Sequence, residues 1–332
     1  VASLLPEARD WGLRPRFGLP QFLDGRQSLD YRRGMKTRWL FTLFGLAALL
    51  AGPAVAQQGP VKIAVDGGPG FANGVELALR EINGRGGILG RQVVVVPSGG
   101  DLTLDPQRFS DPPSPLARYL VGPLQVKSLA VAARSTDDMR FTPVSVTPLV
   151  IEAQQVDFSA TVIRAKNANA DALVIRSLST DESVGLLTEL RKQGYARPVL
   201  GEAALVSARL IERAGDAANG VRAVVGLGPE TPMPAIADFQ RKHRAVYGGP
   251  SGLDAMRGYS ALYLAKAVTA RLGKVDNAAF TAALKNLSLS AQDEPGLLLD
   301  VFGDSDGMLR HQLLVVEVRE RKAVAIDVLS AQ

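Results

Sequence analysis

The chain has 332 residues, a net charge of +5 and no cysteine, which excludes disulfides, thiolate metal sites and cysteine nucleophiles. The charge sits at the front: residues 1–56 carry eight Lys/Arg against four Asp/Glu, and without them the balance falls to +1. Nucleic acid and anionic lipid lose their main support as partners.

The first element in chain order is an export signal. Met35-Lys36-Thr37-Arg38 is a basic start, 39–50 is an apolar run broken by Thr42 and Gly45, and Ala54-Val55-Ala56 is a small-residue cleavage site. The apolar core is about a dozen residues, short of the roughly 20 that span a bilayer. Residues 35–56 are therefore read as a signal peptide cleaved after Ala56, and Gln57 replaces the cysteine that lipid attachment would need. This places the mature chain in the periplasm. Residues 1–34 fit no export pattern and are expected to be an upstream extension outside the fold, although Arg32-Arg33 hints at a twin-arginine signal. The remaining 276 residues are expected to form two lobes of ordinary domain size.

Alternating, β-branched 61–65 reads as a strand, a Gly-Pro-rich loop follows, and apolar spacing over 75–82 predicts a helix that stops at Gly84, Gly86 and Gly87. Residues 91–96 read as a second strand buried on both faces. The stretch 97–115 reads as loop, 116–121 as a third strand, 126–134 as a short helix, and 141–150, with Pro143 and Pro148, as a short crossing strand. Helices over 158–167, 182–193 and 207–214 then alternate with strands over 172–178, 198–201 and 221–227, the pattern of a parallel α/β sheet. Ser179 and Glu182 have capping-box spacing. After a Pro-rich joint at 228–234 come helices over 235–247, 253–272 and 278–287, and last strands over 297–302, 312–318 and 323–328.

Few motifs carry chemistry. Gly68, Gly70 and Gly74 lie between a strand and a helix, but Val96-Pro97-Ser98 offers no acid for a ribose, so no nucleotide cofactor is expected. Asp304-Ser305-Asp306-Gly307 opens like a calcium loop, yet Val315 stands at the twelfth position. His243 and His311 have no metal-ligand spacing, and no G-x-S-x-G elbow occurs. No metal, cofactor or catalytic residue is assigned. Glu202, directly after a strand, is a candidate partner for an ammonium group, because open α/β sheets bind ligands at the carboxyl ends of strands.

The run 74–83 passing into Gly86-Gly87-Ile88-Leu89-Gly90-Arg91, together with Val121-Gly122-Pro123-Leu124, Asp157-Phe158-Ser159, 170–174 and 190–194, resembles periplasmic solute-binding proteins of the branched-chain amino acid transporter type. The resemblance covers most of 61–320. It implies an α/β, two-lobed type I periplasmic-binding-protein-like fold with parallel sheets flanked by helices and three crossovers. The expected lobes are 57–148 plus 232–311, and 149–231 plus 312–332, the second with a reduced sheet because Pro148 is followed so soon by Asp157. It also implies a hinge that shuts on a ligand and is read by an ABC permease in the inner membrane. Candidate ligand residues by the same resemblance are Gln125 and Val126 after the Gly-Pro turn, Ser145 and Thr147 in a hydroxyl-bearing first-lobe loop, and Glu202 in the second lobe.

The resulting expectation is a monomeric, non-enzymatic periplasmic binding protein for an amino acid or related carboxylate or amide, with no nucleic-acid partner. The alternatives are a ligand-sensing or degenerate relic of the same fold, and a periplasmic enzyme. Trp11 and Trp39 are the two tryptophans and both precede the cleavage site. Exported protein is thus expected to begin at Gln57 on N-terminal sequencing and to show tyrosine-only fluorescence.

Overall fold

The computed structural model describes residues 59–110 and 115–329; the export segment and the upstream extension lie outside them. The chain starts with β1 (Val61–Val65), α1 (Pro69–Gly84), β2 (Val93–Val96) and β3 (Leu102–Leu104), and these strands form a parallel three-stranded sheet in the order β2-β1-β3. Pro69 at the first turn of α1 has no amide hydrogen to satisfy, and Gly86 and Gly87 take positive φ just past the helix end. The expectation that the second strand is buried on both faces does not hold. β2 is an edge strand, and Val94 and Val95 are exposed.

Next come α2 (Pro115–Val121), β4 (Ser128–Ala133), β5 (Ser145–Val150), α3 (Ser159–Asn167), β6 (Ala172–Ile175), α4 (Thr180–Lys192), β7 (Val199–Gly201), α5 (Ala208–Ala214) and β8 (Val221–Val225). Two expectations are reversed here. Residues 116–121 are helical, since Leu116, Tyr119 and Leu120 follow helical spacing and bury on one side. The stretch expected as a helix over 126–134 instead holds β4, whose apolar residues bury on both faces between β5 and β6.

The chain continues through α6 (Pro234–Tyr247), α7 (Leu253–Leu272), α8 (Asn277–Ala283), β9 (Ser288–Leu289), β10 (Val301–Gly303) and β11 (Leu309–His311). It finishes in β12 (Leu313–Arg319) and β13 (Lys322–Leu329). β9 to β11 form a small antiparallel sheet, while β12 and β13 join β4 to β8 in a seven-stranded sheet ordered β13-β12-β8-β7-β6-β4-β5. Its β4 to β8 portion is parallel, and β12 runs antiparallel to β8.

This topology corrects the expected lobes. β4 and β5 belong to the seven-stranded sheet, because β4 pairs with β6 from Leu129 opposite Ala172 to Ala132 opposite Ile175. The strands over 128–133 and 145–150, expected on the first-lobe side of a boundary at 148, thus lie in the same sheet as the strands beyond it. The second lobe's sheet is the large one, and the three-stranded sheet belongs to the first. β4 reaches β5 through 134–144 with only a 3-10 turn at Asp137–Met139, where parallel neighbours usually carry a helix. On that face α2, Met139 and Phe141 cover the sheet.

Each strand's alternation divides the large sheet between two apolar clusters. Ala130, Ala132, Leu173, Ile175 and Val199 join Val162, Leu186 and Leu190 from α3 and α4. Leu129, Val131, Ala133, Ala172, Val174, Leu200 and Val224 join Leu116, Tyr119 and Leu120 from α2.

The first lobe is held by the α1–α7 contact. A Cβ on Gly74 would lie 1.9 Å from the Ala255 carbonyl oxygen, and one on Gly258 would lie 2.0 Å from that of Phe71. These two glycines let the helix backbones touch. Beside them the Glu81 carboxylate accepts from Tyr259 Oη at 2.9 Å and Tyr263 Oη at 2.8 Å, and pairs with Lys242 Nζ at 2.9 Å, knitting α1, α6 and α7. Burial alone would raise the Glu81 carboxyl, but these partners outweigh it and hold it below the ordinary range.

Glycine to alanine inside a helix ordinarily adds stability of roughly 1 kcal/mol. Gly258→Ala is expected to do the reverse and lower the unfolding free energy by about 1–3 kcal/mol through overpacking, as read from urea denaturation midpoints.

Candidate functional site

In the large sheet, β4, β6, β7 and β8 all end at one edge, where their carbonyl ends and the following loops collect. The residue after β4, β6 and β7 is charged, and the pleat decides which face it serves. Glu202 follows β7 and Arg176 follows β6, both on the α2 side. Arg176 pairs with Glu202 Oε1, with Nε at 2.9 Å and Nη2 at 2.7 Å, while its Nη1 donates to the Asp138 carbonyl at 3.1 Å. Its guanidinium also lies 5.5 Å from the Phe141 ring centre, a cation–π arrangement.

These groups border a cavity of about 360 Å3 lined by Leu116, Ala117, Arg140, Phe141, Arg176, Glu202, Ala203 and Val224 along with Pro115. That volume falls within the range of small-molecule sites. Apolar surface from α2 and Val224 faces charged groups from the strand ends. Glu202 is half-exposed, and its Oε2 takes no hydrogen bond among the described residues. It is free to accept from an ammonium group.

One position along, Arg134 follows β4 on the opposite face. Its Nη2 donates to both Glu182 oxygens, at 2.6 and 2.7 Å. Glu182 also accepts from Ser179 N at 2.9 Å and Ser179 Oγ at 2.8 Å in the capping box of α4, and from Gln154 N at 3.2 Å. Burial by itself would raise the Glu182 carboxyl; the donors from Arg134 and Ser179 outweigh it and bring it down to about 2.

The other sequence candidates lie elsewhere. Gln125, with φ of 51°, and Val126 precede β4 and so occupy the amino edge of the sheet. Ser145 and Thr147 pair with Ser128 and Ala130 within β5, on an exposed edge strand of the second lobe, and not in a first-lobe loop. Of the five, only Glu202 reaches the carboxyl edge. Arg134, Phe141, Arg176 and Glu182 were passed over in the sequence. The rule that picked out Glu202, a charged residue directly after a buried strand, also selects Arg134 and Arg176 once β4 and β6 are correctly bounded. Among the described residues no three His, Cys, Asp or Glu side chains converge on a metal-sized site, and no helix is long and apolar enough to cross a membrane.

Two α/β lobes joined by three chain crossings, with cavities at the carboxyl ends of the strands, define a type I binding-protein fold. The profile of the family described as periplasmic binding protein matches residues 120–323, well over half of the chain, and the chain belongs to that family. No curated protein matches it by sequence. Among solved structures it is similar to a Rhodospirillum rubrum protein assigned to a branched-chain amino acid ABC transporter, with 18% identity over 81% of this chain and 99% of that one and a TM-score of 0.57. It is also similar to a branched-chain amino acid ABC transporter periplasmic ligand-binding protein from Burkholderia xenovorans, with 14% identity over 82% and 95% of the two chains and a TM-score of 0.56. At such identities the likeness is one of fold.

Because the folded-state Glu182 carboxyl lies below its ordinary 4.5, its ionised form stabilises the fold above that value, and the contribution is lost as pH falls toward about 2. Glu182→Gln is expected to flatten this part of the acid-denaturation curve, which circular dichroism between about pH 5 and 2 measures.

Proposed function

We propose that the chain is the solute-binding component of an ABC transporter, capturing a small amino acid or a related carboxylate or amide in the periplasm and delivering it to an inner-membrane permease. The family supports the binding role, and the export segment supports the compartment. The observation that carries the ligand reading is Glu202, standing on the rim of the α2-side cavity with one carboxylate oxygen held by Arg176 and the other free. In this reading Glu202 Oε2 accepts the ligand's ammonium, Arg140 and Arg176 supply positive charge for its carboxylate, and Leu116, Phe141 and Val224 meet its apolar part. Gln125, Val126, Ser145 and Thr147 are given no ligand contact. Contacts from both lobes would favour the shut form, which a permease can distinguish from the open one.

Isothermal titration of mature protein with a panel of amino acids, small carboxylates and amides tests this. Saturable one-to-one binding without turnover is expected, and Glu202→Gln should weaken the best amino acid ligand by roughly tenfold or more, since a charge-assisted hydrogen bond is lost. Silence across the panel would favour the relic reading, and conversion of a bound solute would overturn the non-enzymatic one.

A further inference from the structure

A second cavity of about 360 Å3 lies on the α4 side of the same sheet edge, lined by Arg134, Gln154, Gln155, Val156, Phe158, Ser179, Asp181, Glu182 and Gly185. It shares no lining residue with the Glu202 cavity. We infer that it is a separate binding site for a small monocarboxylate with a short apolar body, and that Arg134 is the group that recognises the carboxylate.

The guanidinium is fixed before any ligand arrives. Glu182, almost fully buried, engages only Nη2 of Arg134, so Nε and Nη1 have no partner among the described residues, and the side chain stays about half-exposed. A held arginine with two N–H donors left over offers a carboxylate a charge-assisted contact with little ordering still to do.

The charge balance permits an anion. Glu182 is already saturated by donors from Arg134, Ser179 and Gln154, and it sits in the first turn of α4, where the helix end adds positive potential. Asp181, the other acid of the cavity, is ion-paired with Arg213. The exposed edge of Arg134 is therefore the positive feature of the cavity.

The walls give the size of the apolar body. A Cβ on Gly185 would come within 2.7 Å of the Phe158 ring, so the glycine is what lets that ring approach α4 closely. Val156 stands at the lip with 92% of its surface exposed, in position for a branched or short aliphatic chain to cover it. This site stands whether or not the Glu202 reading holds.

The test is a titration of mature protein with isovalerate and, as the uncharged isostere, isovaleramide, followed by calorimetry and by the Arg134 Nε–H resonance. Saturable isovalerate binding that shifts this resonance is expected, with the amide much weaker. Arg134→Lys keeps an ammonium for Glu182 but loses the two-donor edge, and should weaken isovalerate by roughly tenfold. Failure of isovalerate to bind, equal binding of acid and amide, or an unmoved Arg134 resonance would overturn the assignment, and the last readout needs no variant to fold. Displacement of isovalerate from Arg134 by the best amino acid ligand of the Glu202 cavity would instead merge the two cavities into one site and sink the claim of separateness.

Discussion

The pleat of the seven-stranded sheet governs where chemistry can occur in this protein. Successive side chains on a strand point to opposite faces, so the parity of a strand's last buried residue fixes the side served by the polar residue after it. Ala133 faces α2, and Arg134 is thrown toward α4. Ile175 and Gly201 face the α4 side, and Arg176 and Glu202 are thrown toward α2. A one-residue slip between β4 and β6 would exchange these faces and strand both arginines. The two cavities are thus consequences of register as much as of residue type.

Burial and charge are coupled at this edge. Arg134 is anchored by Glu182, itself held in the α4 cap, and Arg176 by Glu202 and the Asp138 carbonyl, so neither cation is left without compensation. Glu182 does two tasks, capping α4 and holding Arg134, and its low pKa records both. In the first lobe, Glu81 has a similar place among two tyrosines and Lys242, and there it joins helices and not a cavity.

The sequence was most legible where several signals agreed. The helices from α3 to α7 and the strands between them stood at nearly their expected positions because apolar period, glycine stops and the Ser179–Glu182 cap all agreed. It was least legible over 97–150. Pro115 to Val121 is apolar enough for a strand, and the helical spacing of Leu116, Tyr119 and Leu120 takes effect through its seat against that sheet face. Ser128 to Ala133 is alanine-rich and short, and it is a strand because β5 and β6 flank it. With β4 misplaced, Ser145 and Thr147 were assigned to the wrong lobe, and Arg134 could not be recognised as a strand-end residue. Glu202 was legible because β7 and the glycine ending it were bounded correctly. Its partner Arg176 lies one residue beyond Ile175, inside a strand expected to continue to 178.

The three crossings also bear on how the chain reaches this shape. α1 must wait for α7, Glu81 for Tyr259 and Tyr263, and β8 for β12, whose segment is among the last to arrive. Neither lobe can close on a partial chain, so contacts of long sequence separation and their loop-closure entropy fall on both at once. The early segment therefore cannot reach its native packing until most of the chain is available to meet it.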